Sequence, residues 1–136
     1  MGKKAMNPDG LPVPRGSYHQ VAVADPGRIV AIAGQTASDA EGNVVGGSDI
    51  RAQTRAVLEK LRNGGEAAGG TVDDIVAVTV FITDARFYSD VNEVRREVFG
   101  SNFPTSTMVN VSSLARPELL VEINALAVVP ESSLRT

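Results

Sequence analysis

Glu122 is a carboxylate set in a stretch of chain whose other residues argue for burial. The run Leu119-Leu120-Val121-Glu122-Ile123-Asn124-Ala125-Leu126-Ala127-Val128-Val129 reads as a strand. Alternation puts Val121, Ile123, Ala125 and Ala127 on one face, and Leu120, Glu122, Asn124 and Leu126 on the other. A buried carboxylate without a partner is costly. This one must therefore face water, accept a neighbour's N–H, or serve as a base in a cleft.

Few other residues offer chemistry. His19 is the only histidine, so a metal cluster of several histidines within one chain is excluded. It reads as a strand residue, with a catalytic or ligand role as the alternative. With no Cys, disulfides, thiolate nucleophiles and thiol-bound metals are excluded together. The Asp73-Asp74 pair invites a metal reading, but Thr71-Val72-Asp73-Asp74 is better explained as a turn before a strand. Gly64-Gly65 and Gly69-Gly70 lack the lysine of a phosphate loop and read as helix termination. No metal and no cofactor are expected.

A chain of 136 residues can bury a core as one domain. A net charge of −3 and no basic stripe leave no electrostatic footprint for RNA, DNA or an anionic membrane. No apolar stretch approaches a membrane span, and Met1-Gly-Lys-Lys does not open a signal peptide. The expected location is the cytoplasm.

The elements that must hold these residues follow from periodicity and punctuation. Residues 1–16, with Pro8, Pro12 and Pro14, read as an extended N-terminal arm rather than an element. Residues 17–130 form the domain, and 131–136 a flexible tail. Strands are predicted over 18–25 and 28–37, separated by the Pro26-Gly27 turn. A helix over 49–68 carries Ile50, Thr54, Val57, Leu58 and Leu61 on one face, with Ser48 or Asp49 as its cap. A buried strand, 76–82, leads to a second helix, 85–99, with the stripe Phe87, Val91, Val94 and Val98. Strands over 105–114 and 119–129 complete a ββαβαββ order. The fold class is α+β, a sheet with two helices on one face.

Two helices cover only one side of such a sheet. On the other side, the strand over 76–82 is still largely apolar, and the strands around Ala31, Ala33 and Asn124 are small and mixed. Uncovered apolar surface of that extent marks an interface. Further copies of the same chain are the simplest cover.

The chain resembles the RidA/YjgF family of reactive-intermediate deaminases, also known as perchloric-acid-soluble endoribonucleases. The resemblance rests on Gly16-Ser17-Tyr18-His19-Gln20, Ala33-Gly34-Gln35 and Val80-Phe81-Ile82-Thr83-Asp84, then Asn92, Phe103-Pro104-Thr105-Ser106-Thr107 and Val121-Glu122-Ile123. These stand in the family order across roughly 7–129. The resemblance implies a chorismate-mutase-like homotrimer with a small-metabolite cleft between each pair of subunits. It implies further that water attacks the C=N carbon of an imino or enamino acid and ammonia leaves. Glu122 would then hold or deprotonate that water, Tyr18 would line the cleft, Asn92 would shape it, and Gly34 would allow close approach.

The sequence departs from the family where those deaminases carry an Arg, two residues after the Pro of the Phe-Pro motif. Here that residue is Ser106. A guanidinium grips a carboxylate through paired charged hydrogen bonds that a hydroxyl cannot reproduce. Each such bond is worth on the order of 1.5–3 kcal/mol. An altered ligand range follows, with the hydroxyls of Thr105, Ser106 and Thr107 either lining the site or serving only as strand residues. Arg15 and Arg116 are the substitutes considered for the missing guanidinium. Three functions compete: an imine or enamine deaminase, a non-catalytic metabolite-binding trimer, and an endoribonuclease or translation inhibitor, which the charge opposes.

Overall fold

The computed structural model describes residues 2–133. Eight regular elements follow one another: β1 (Lys3–Met6), β2 (Val21–Ala24), β3 (Arg28–Thr36), α1 (Ile50–Ala67), β4 (Ile75–Ile82), α2 (Tyr88–Phe99), β5 (Thr105–Asn110) and β6 (Val121–Val129). The class is α+β, with both helices packed on one face of a mixed sheet. The predicted order lacked one strand. Lys3–Met6, inside the segment read as an arm without an element, pairs antiparallel with Val21–Ala24. Its Lys3 ammonium also donates to the carbonyls of Ile75 (2.7 Å) and Asn102 (3.0 Å). A remote partner, not local pattern, makes this strand.

The main sheet has the order β3-β6-β4-β5, with β5 parallel to β4 and the other pairings antiparallel. β6 therefore lies between two neighbours, which explains its apolar character. Its alternation is the one read from the sequence: Val121, Ile123, Ala125, Ala127 and Val129 are buried under the helices, and Leu126 on the other side is exposed. The inner face packs Val30 and Ile32 of β3, Val78 and Val80 of β4 and Met108 of β5 against Val57, Leu58 and Leu61 of α1 and Val91 and Val94 of α2.

Element ends have local causes. Asp49 caps α1 by accepting from the amides of Arg51 and Ala52. Asp84 caps a single 3-10 turn, Ala85–Phe87, and the α-helix begins only at Tyr88. The strand predicted over 18–25 shrinks to Val21–Ala24 because the preceding residues spend their polar groups elsewhere. Ser17 binds Asn92, and the His19 amide donates to the Pro104 carbonyl at 3.0 Å. β5 stops at Asn110, since the Val111 amide takes the last carbonyl of β4, that of Ile82. Of the segment read as a tail, Glu131–Ser133 form a 3-10 turn, and 134–136 lie outside the described residues.

Candidate functional site

The residues singled out by sequence fall into two groups on opposite sides of the sheet. Register shows this directly. Ser106 pairs with buried Val78, and Val78 with Ala125, so Ser106 points to the helix side. Glu122 pairs with Phe81, and Phe81 with Val109, so Glu122 points to the uncovered side together with Thr105 and Thr107 of β5.

The first group surrounds a cavity of about 190 Å³ at the β5 edge, lined by Tyr18, Tyr88, Arg95, Ser106 and Met108. Asn92 organises it from behind. The Asn92 side-chain oxygen accepts from the Ser17 amide (2.8 Å) and from Arg95 Nη2 (2.7 Å), and its amide nitrogen donates to the Tyr88 carbonyl (2.8 Å). Ser17 Oγ returns a bond to the Asn92 carbonyl (2.7 Å). The Gly16-Ser17-Tyr18 turn is thus fastened to α2. Gly16 is required there, because a Cβ would lie 2.5 Å from Asn92 Oδ1 and 2.7 Å from the Tyr88 hydroxyl.

Sequence reasoning missed Arg95. It is 1% exposed, yet its guanidinium has only neutral partners, Ser106 Oγ at 2.7 Å from Nη1 and Asn92 Oδ1. Its Nε is buried without a hydrogen-bond partner among the described residues. Burial pushes its pKa down to about 10, with Tyr88 and Tyr18 opposing that shift, so it stays charged at neutral pH. Tyr88, Asn92 and Arg95 stand at helical spacing on one face of α2, beside the buried stripe of Val91 and Val94. That spacing was the signal available in the sequence. At Ser106, where the resemblance led to the expectation of an arginine, a guanidinium from the helix meets the serine hydroxyl. Neither substitute considered lines this cavity. Arg15 is exposed, and Arg116 binds the Gly42 carbonyl and pairs with Glu118 at 3.7 Å.

The second group is built on β3 and β6. Between Ile32 and Gln35 the register with β6 slips, a bulge at Ala33-Gly34. The Glu122 carboxylate lies over that bulge, since a Cβ on Gly34 would fall 2.1 Å from Glu122 Oε2. What approaches Gly34 closely within this chain is the Glu122 side chain. No described residue donates a hydrogen bond to Glu122. Beside it, a hollow of about 520 Å³ runs over Ala31, Ala33, Gly34, Thr79, Asn124 and Leu126. Asn124 is occupied, accepting from the Thr79 amide at 3.1 Å.

Remaining candidates have structural duties. His19 Nδ1 lies 3.0 Å from the Phe103 carbonyl oxygen, and its ring tilts against that of Phe103 with centroids 5.9 Å apart. Thr105 Oγ1 donates to the Val76 carbonyl (3.1 Å). Asp74 completes a capping box with Thr71. Among the described residues, no group of His, Cys, Asp or Glu is placed to hold a metal ion. A further hollow of about 400 Å³, between Val44, Gly47, Ser48 and Pro117, Glu118, Leu120, holds none of the candidate residues.

An α+β sheet under two helices is the fold of small Rid-like domains. The chain belongs to the RidA/YjgF family: the family model described as Endoribonuclease L-PSP matches residues 10–129. A RutC family protein of Pyrococcus horikoshii is 37% identical over 125 residues, covering 92% of this chain and 97% of its own. The Rid family protein YyfB of Yersinia pestis superimposes with a TM-score of 0.86 at 30% identity, over 95% of this chain and all of its own. A member of the YjgF/YER057c/UK114 family from Mycobacterium tuberculosis gives a TM-score of 0.67 at 32% identity, over 94% of this chain and all of its own. No helix among the described residues is long and apolar enough to cross a membrane.

Proposed function

We propose that this chain is a hydrolytic deaminase of small imine and enamine metabolites, acting in the cytoplasm at clefts between the subunits of a homotrimer. One observation carries the reading: a carboxylate held over Gly34 on an otherwise apolar strand, with no donor from the described residues to neutralise it. Such a group is free to take a proton from water.

An imine carbon is already electrophilic, so a held water and a base suffice. Water oxygen bonds to the C=N carbon while Glu122 takes its proton. The carboxylate then returns that proton to nitrogen, which gives a carbinolamine; it next carries the hydroxyl proton to the amino group, the C–N bond breaks, and ammonia leaves as the carbonyl forms. The balance is imine plus water to carbonyl plus ammonia. Tyr18 and Ser106 line the opposing wall, contributed by a neighbouring copy, because within one chain they and Glu122 face opposite sides of the sheet. Ser106 at the strand position shifts the range of ligands accepted. A net charge of −3 gives no support to an RNA substrate.

Ammonia release from freshly generated 2-iminopropionate and a panel of enamino acids tests the proposal. Turnover that falls at least 100-fold in Glu122→Gln, with an unchanged melting curve, is expected. No turnover above buffer across the panel would overturn it, and ligand binding without turnover would assign a non-catalytic metabolite-binding trimer instead.

A further inference from the structure

We propose that Arg95 of α2 is the anchor for a small carboxylate bound in the cavity at the β5 edge, with Asn92 and Ser106 as the residues that hold it in position. The inference deepens the deaminase reading by assigning the charged end of its substrate, but it can be tested by binding alone.

The argument starts from a charge without a counter-ion. Arg95 is 1% exposed, and no carboxylate among the described residues pairs with it. A buried charge of this kind is strongly unfavourable unless something compensates it. The chain nevertheless contains carboxylates that pair with other arginines on the same pair of helices. Arg51 meets Asp90 at 2.8 Å and Arg55 meets Glu97 at 3.0 Å, both at the surface. Neutral Ser106 and Asn92 orient the guanidinium without cancelling its charge. They use two of the five N–H groups a guanidinium carries.

The cavity fits an anion of limited size. Its volume of about 190 Å³ is about six water volumes, enough for a three- or four-carbon acid. Tyr18 and Tyr88 contribute hydroxyls that make no hydrogen bond to a described residue, and Met108 offers an apolar wall. A planar carboxylate would accept paired N–H bonds from the guanidinium, with the tyrosines available to its outer lone pairs.

Pyruvate serves as the probe, measured by calorimetry and by its effect on the melting temperature. In wild type, the melting temperature should rise with pyruvate concentration as expected for a ligand of the folded state. Arg95→Met should lose affinity at least 10-fold while melting no lower than wild type without ligand, because the uncompensated charge is gone. Arg95→Lys, which keeps charge but not the fork, should bind with intermediate affinity, and it serves if the Met variant fails to fold. Equal pyruvate binding by wild type and both Arg95 variants would overturn the proposal, as would wild-type chain that deaminates but shows no pyruvate binding. Binding that depends on Arg95, in a protein without deaminase turnover, would leave the anchor standing and remove only the reaction.

Discussion

At the scale of single residues, Gly34 and Glu122 act as one unit. A methyl group on Gly34 would occupy the place of Glu122 Oε2, 2.1 Å away. Gly34 is itself exposed on the strand, so its replacement tests the carboxylate more than the fold. Gly34→Ala should cut turnover about 10-fold or more by displacing the base. In a Glu122→Ala background the same change should have little further effect, since the two residues share one interaction. Additive losses in that cycle would show that Gly34 serves the substrate directly. Glu122 was legible in sequence because β6 is central and its alternation is clean. Arg95 was not, because an arginine on an amphipathic helix ordinarily faces solvent, and its contact with Ser106 is made only by the packing of α2 on β5. Arg95 lies on the inward face of α2, whose sequence signal is dominated by its apolar stripe.

At the scale of elements, the strands and helices of the main sheet were readable from periodicity and caps. Asp49 and Asp84 stand where capping residues should. β1 was invisible, as Lys3-Lys4-Ala5-Met6 has no alternation of its own and exists as a strand through β2 and through Lys3. Burial lowers the Lys3 ammonium pKa from the usual 10.5 to about 8, against the pull of Asp73 and Asp74. Below about 8 both folded and unfolded chains keep the proton, and the cost of burying the charge is felt in full. Between about 8 and 10.5 the folded chain releases a proton that the unfolded chain retains, so stability rises with pH. The neutral amine can still donate to the Ile75 and Asn102 carbonyls. Denaturant unfolding at pH 7 and pH 10 should therefore show wild type gaining stability relative to Lys3→Met. An unchanged difference would mean that the ammonium is hydrated and β1 is held by its ladder alone.

At the scale of the whole molecule, the sheet's uncovered side carries Ile29 at 76% exposure, Leu126 at 45% and Val109 at 38% around the hollow beside Glu122. No described residue covers them, as expected from two helices that can cover only one face of a sheet. What the sequence could not tell was that Arg95 and Ser106 belong to one side of that sheet and Glu122 to the other, a matter of register alone. The division has a genetic corollary. If each working cleft joins the arginine wall of one subunit to the carboxylate of the next, two individually impaired variants carry complementary halves. Arg95→Met and Glu122→Gln chains, unfolded together and refolded in equal amounts, should recover activity at about a quarter of their shared seams, since each seam draws its two walls independently. Silence from such a hybrid would place both walls within a single polypeptide's reach.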